Sequence, residues 1–81
     1  LAAKGARPVG VLLGYTLGDD AWDRAFAGGL RTALDAFACP LLGGDTVSSP
    51  GRRVLSLTAI GHADGPVPSR AGARPGDDLW V

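Results

Sequence analysis

At 81 residues the chain is at most one domain, and a domain this short buries only about 60% of the surface its unfolded chain exposes, which leaves a thin core and favours a partner. Eight basic residues balance eight acids, every one of them Asp, so there is no net charge and no electrostatic reason to expect nucleic acid or an anionic membrane. No apolar run reaches the eighteen or so residues of a membrane helix, and no basic-then-apolar leader opens the chain. The single Cys39 excludes an internal disulfide and fits a reducing compartment, so cytoplasm is the expectation.

In chain order, "LAAKGARP" reads as the last turn of a helix. Leu1 to Lys4 favour helix, Gly5 suits the left-handed terminating position, and Pro8 forbids continuation. The chain thus opens inside a helix and without Met, and is expected to be a segment of a longer protein. "VGVLLGYTL" (9–17) predicts a mostly buried strand. Asp19 and Asp20 are capping residues for a helix over "AWDRAFAGGLRTALDAFA". Its apolar stripe is Trp22, Phe26, Leu30, Ala33, Leu34 and Phe37, with Asp23 favourable in the first turn. The pair Gly28-Gly29 costs roughly 2 kcal/mol against alanines inside a helix, which predicts close packing on another element there.

"PLLGG" (40–44) predicts a short strand and "TVSSPGRR" a turn. "RVLSLTAIGHA" (53–63) predicts a strand with Val54, Ser56, Thr58 and Ile60 on one face and Leu55, Leu57 and Ala59 on the other. Residues 64–77 read as loop with one helical turn, and "DLWV" (78–81) as the start of a further strand. The fold class is α/β (α+β): a single β-sheet with a helix packed on one face, all 81 residues belonging to one partial domain.

Chemistry concentrates in "GGDT". Glycines admit the close approach of a phosphate, and a carboxylate following a strand is a place for Mg²⁺, a cation that prefers oxygen ligands. The same four residues also fit a Gly-Gly turn in which Asp45 caps the next turn through its side chain. Arg70, in a loop of small residues, has the geometry to take a phosphate bidentately, although a loop arginine is commonly just solvated. No Walker A pattern, no G-x-G-x-x-G and no CxxC is present. His62 reads as an exposed strand-end residue, Trp22 and Phe26 as core, and Arg7, Arg52, Arg53 and Arg74 as scattered charges without a site.

Taken together, "LAAKGARPVGVLLGYTL", the Trp-bearing helix, "LLGGDTV", "LSLTAIG" and "SRAGARPGDDLWV" resemble, in this order and over nearly the whole chain, the amino-terminal domain of the thiamine-monophosphate kinase family. That family lies within the aminoimidazole-ribotide-synthetase-like superfamily of ATP-using enzymes. The resemblance implies an ATP-dependent phosphorylation of thiamine monophosphate to thiamine diphosphate. It places Gly44 and Asp45 at the nucleotide phosphates with Asp45 a Mg²⁺ ligand, and Arg70 on ATP. It also implies a homodimer in which sheets of two such domains join. The aromatic residue the family often carries beside the nucleotide falls at Ala27, where this sequence has none; whether Phe26 substitutes is open. Thr46 is secondary. A further metal-binding Asp would immediately precede Leu1, more acids would lie upstream and a second α/β domain downstream, so the 81 residues alone are expected to lack kinase activity. Other readings are a relative of selenophosphate-synthetase or hydrogenase-maturation type, or a non-catalytic dimerisation module.

Overall fold

The computed structural model describes residues 1–79. A 3-10 turn over Ala2–Lys4 opens the chain, as the sequence predicts. Gly5 (φ 61°) closes it: its N–H donates to the Ala2 carbonyl and the Ala6 N–H to that of Leu1, the paired bonds of a Schellman termination. β1 (Ala6–Thr16) follows, then α1 (Asp20–Ala36), β2 (Leu41–Val47), β3 (Leu55–Ala63) and a second 3-10 turn over Arg70–Gly72.

The sheet order is β2-β1-β3, with β2 parallel and β3 antiparallel to the central β1. A parallel pair needs a crossover connection, and α1 is that connection. The architecture is therefore the expected α+β sheet with one helix. β1 starts three residues earlier than "VGVLLGYTL" suggests, because Pro8 is tolerated inside it. Between the pairs Pro8↔Gly61 and Gly10↔Ile60 one extra β1 residue, Val9, bulges out, and at such an irregularity the missing proline N–H does no harm to the ladder.

Tyr15 packs on Phe26 at 5.5 Å, and Leu13 and Tyr15 line a cleft with Phe26, Leu30 and Leu34, which fixes the α1 face of the sheet. The register sets Leu55 beside Tyr15, Leu57 beside Leu13 and Ala59 beside Val11, so the two sets foreseen for β3 are separated as expected. Among the described residues Val11, Leu13 and Cys39 alone are buried apolar side chains, while Leu55 and Leu57 remain about half exposed. The radius of gyration, 17.0 Å, exceeds the roughly 12 Å of a compact domain of this length. This surface is built to be covered.

Four expectations need correction. The close packing at Gly28-Gly29 is not there: a Cβ at either position would meet nothing within 4 Å, because the helix turns this side away from the sheet. Trp22 and Phe26 are half-buried rather than core, stacked on each other near the helix start. β2 runs on through Val47, so Asp45 and Thr46 lie within a strand and the turn begins only at Ser48. The strand foreseen at 78–81 is not formed at Asp78 and Leu79, and Trp80 and Val81 lie outside the described residues.

Candidate functional site

β1 and β2 are parallel, so their carboxyl ends lie together, with the start of α1 and the β2–β3 loop at that same end. This is the end at which α/β sheets commonly receive ligands. Asp45 pairs in register with Gly14 and Thr46 with Tyr15. Asp45 is exposed, and one carboxylate oxygen accepts the Thr46 N–H at 2.9 Å. That bond is strictly local: the side chain caps its neighbour and not the turn beyond. Beside it a shallow depression is lined by Gly43, Gly44, Asp45 and Thr46, and it shares Leu13, Tyr15 and Leu41 with an apolar cleft of about 650 Å³ under α1. The two adjoin through these shared residues, and the register sets Thr46 with Leu13 and Tyr15 on the α1 face and Asp45 with Gly14 on the other face of the edge strand.

Gly44 has a reason of its own to be glycine. A Cβ there would overlap the Leu13 carbonyl oxygen and lie 2.6 Å from the Leu13 carbonyl carbon. The backbone of β2 thus approaches β1 as closely as the sequence suggested a glycine would allow, and the approaching group in the chain itself is a strand.

The start of α1 is tied down by two acids. Asp19 is the N-cap, and its Oδ1 accepts the Trp22 N–H at 2.9 Å. Asp23 reaches back to the Gly18 N–H at 3.0 Å. The second oxygen of Asp19 pairs with Arg53 Nη2 at 2.8 Å, and the Arg53 guanidinium lies 4.1 Å above the Trp22 ring. The Trp22 N–H, followed by Arg53, holds the Asp19 carboxyl below the usual carboxylate range. From Trp22 the contacts continue to Phe26 at 5.1 Å and on to Tyr15 in the cleft wall.

The loop 48–53 is pinched at its base. Leu17 N–H donates to Val47 O, Thr16 N–H to Val54 O, and the buried Thr16 hydroxyl accepts the Val54 N–H at 2.8 Å. Arg53 then fastens the loop to α1. Sequence reasoning left Arg53 and Thr16 without a role, since their partners stand 31 to 38 residues away and no local spacing announces them.

Arg70 lies elsewhere. It starts the second 3-10 turn, capped by Ser69 Oγ accepting the Ala71 N–H. Lys4 Nζ holds the Pro68 carbonyl at 2.7 Å, which fixes this segment beside the beginning of β1. From Ala6, at that end, to Gly14, beside Asp45, is eight residues of strand, roughly 26 Å at ~3.3 Å per residue. One chain therefore does not bring Arg70 to Asp45. His62 pairs with Asp64 at 3.0 Å on the exposed end of β3, and Arg7 shares the same carboxylate.

Among the described residues no three His, Cys, Asp or Glu side chains converge as a metal site. Asp45 nevertheless fits one part of a Mg²⁺ shell, since that ion is commonly held by one or two carboxylates together with water and phosphate oxygens.

Comparison with known proteins supplies the wider frame. Residues 1–63 match the family described as AIR synthase related protein, N-terminal domain. The chain belongs to that family. Within it, the AIR-synthase-related segment is 46% identical over its whole length to the thiamine-monophosphate kinase of Caulobacter vibrioides, of which it covers 24%. It is 38% identical over its whole length to that of Synechococcus elongatus, covering 25%. The segment thus spans about a quarter of the length of the curated relatives it matches. In fold it resembles the crystal structure of thiamine monophosphate kinase from Aquifex aeolicus, with a TM-score of 0.77 over 89% of this chain and 25% of that one at 24% identity. No helix among the described residues is long and apolar enough to cross a membrane.

Proposed function

We propose that the segment is the ATP-binding part of a cytoplasmic kinase that phosphorylates thiamine monophosphate to thiamine diphosphate. The observation that carries this reading is the 46% identity to a thiamine-monophosphate kinase over the full length of the chain. The geometry supports it: an exposed carboxylate, Asp45, stands on the edge strand beside a shallow depression, toward the end where two parallel strands present their carboxyl ends. Asp45 would hold one Mg²⁺ there, and the ion when bound neutralises polyphosphate charge. Gly44 leaves the β2 backbone bare beside it. The attacking group is a phosphate oxygen of the substrate, anionic near neutral pH, so no strong general base is required.

Arg70 would stabilise phosphate charge directly. Because one chain keeps it roughly 26 Å of strand away from Asp45, both residues serve one nucleotide only if two copies combine. The half-exposed Leu55 and Leu57 and the open edge of β3 support such a homodimer.

The test is thiamine diphosphate formation from MgATP and thiamine monophosphate by the full-length protein, repeated with Asp45→Asn. Loss of Mg²⁺-dependent nucleotide binding with an unchanged melting curve supports the metal role. An Asp45→Asn protein that binds MgATP as the parent does removes it. Full-length protein that consumes ATP only with another acceptor refutes the substrate.

A further inference from the structure

We propose that Arg53 is a positioning residue for nucleotide binding: by latching the loop 48–53 to the start of α1, it holds ready the segment that leads out of Asp45 and Thr46. The inference rests on the reading of the Asp45 end as a phosphate site. Four observations converge on it. The Arg53 side chain is 37% exposed, the less exposed partner of its ion pair. Its guanidinium meets the Asp19 oxygen that the helix cap leaves free, at 2.8 Å. It lies 4.1 Å over Trp22. Gly18 is bare where the guanidinium passes, and a Cβ at that position would collide with Arg53 Nη2. An arginine alone meets these demands, since only a planar guanidinium both stacks on an indole and pairs in its own plane.

What such a latch does follows from where the loop begins. Its base is clamped by Thr16 and Leu17, and its first residue, Ser48, follows Val47, the one strand residue that separates it from Thr46. With the latch closed, the loop is already ordered when phosphate arrives. With it open, the loop must be ordered at binding, and that entropy is charged against affinity. Arg53 touches no transferring group, so its removal weakens ground state and transition state alike. The signature is a raised KM for MgATP at unchanged kcat.

In the full-length protein, Arg53→Gln and Gly18→Ala should each raise the KM for MgATP roughly tenfold with kcat little changed, and Arg53→Lys should fall between, keeping the charge but losing the stack. Gly18→Ala displaces the guanidinium from its place over Trp22 without deleting it, so the double variant should be no worse than either single one. A residue that merely stabilises the fold would lower the active fraction, and with it Vmax, at constant KM. Unchanged KM in both single variants, or effects that multiply in the double variant, overturns the proposal. A wild-type protein without thiamine-monophosphate phosphorylation sinks the reading of the site instead. The latch is then decided by trypsin cleavage after Arg52 in nucleotide-free protein, expected about tenfold faster in both single variants. Equal cleavage rates overturn the latch itself.

Discussion

Gly44→Ala separates what "GGDT" does for the fold from what it does for a ligand. The added methyl would overlap the Leu13 carbonyl oxygen and stand 2.6 Å and 3.0 Å from the Leu13 carbonyl carbon and nitrogen. All three are backbone atoms of the central strand, so no side-chain rotation relieves the overlap and β2 must move away from β1. Such a displacement weakens one or two ladder bonds around Leu13↔Gly44, at about 1 kcal/mol each. Overpacking contributes a further 1–3 kcal/mol or so. The expected loss is about 2–5 kcal/mol, or roughly 5–20 °C in melting temperature for the domain in its full-length chain. Thermal unfolding by circular dichroism reads it, without nucleotide. A melting temperature within about 2 °C of the parent would refute the reasoning. It would leave close phosphate approach as the remaining physical reason for this glycine. The converse holds for interpretation: loss of nucleotide binding in Gly44→Ala says nothing about phosphate contact if the strand pair has already parted.

Gly29→Ala runs the other way, because a methyl there meets nothing, and it should stabilise by about 0.5–1 kcal/mol, visible as a raised melting temperature. Ala38 takes φ 47° at the helix exit, where its N–H donates to Asp35 O and the Cys39 N–H to Leu34 O; Ala38→Gly should therefore stabilise by roughly 1 kcal/mol in the same assay. Thr16→Val keeps the shape but deprives the Val54 N–H of its acceptor, and should lower stability in urea unfolding by about 1–3 kcal/mol. Asp19 is held below the usual carboxylate range by the Trp22 N–H and then by Arg53, so its contribution is present above the ordinary carboxylate pKa and is lost as pH falls through the folded value. Trp22 fluorescence should thus change at acid pH below that range, and Asp19→Asn should abolish the transition.

Much of the fold is legible because it is local. The cap at Asp19, the helical stripe of Trp22, Phe26, Leu30 and Leu34, the left-handed Gly5 and the alternation from Leu55 to Ala59 each follow from neighbours within four residues, while Phe37, expected to end that stripe, lies past the last turn of α1 and is exposed. The misreadings have the opposite origin. Gly28-Gly29 was expected to face a neighbour, but no described element lies on that side of α1. Pro8 was expected to precede the strand, but a bulge admits it. At the candidate site, Gly44 and Asp45 are visible as a motif. The Arg53 latch is not, since it joins residues 34 positions apart and its partners Asp19 and Trp22 look locally like an ordinary cap and an ordinary apolar position.

The distance between Arg70 and Asp45 bears on how such a segment works at all. β3 runs antiparallel to β1, so whatever follows β3 is delivered to the start of β1, and Lys4 fastens it there through Pro68. β2 runs parallel to β1, so Asp45 is delivered toward the other end. Mixed pairing around one central strand therefore places the two residues proposed to meet phosphate, Asp45 and Arg70, toward opposite ends of the sheet, and no rotamer change spans eight residues of strand. The chain also leaves Leu55 and Leu57 half exposed and has a radius of gyration of 17.0 Å, well above that of a packed domain. Both features have one remedy, which is more protein against the sheet. The segment spans about a quarter of its curated relatives' length, so that protein can come from elsewhere in the full-length chain or from a second copy; for the proposed dimer, a twofold axis applied across the β3 edge would bring unlike ends of two sheets together. Under that arrangement, diluting the full-length protein below its dimer dissociation constant should abolish MgATP binding together with the dimer. Binding that survives in the monomer would mean that Asp45 and the depression beside it suffice, and that Arg70 serves elsewhere.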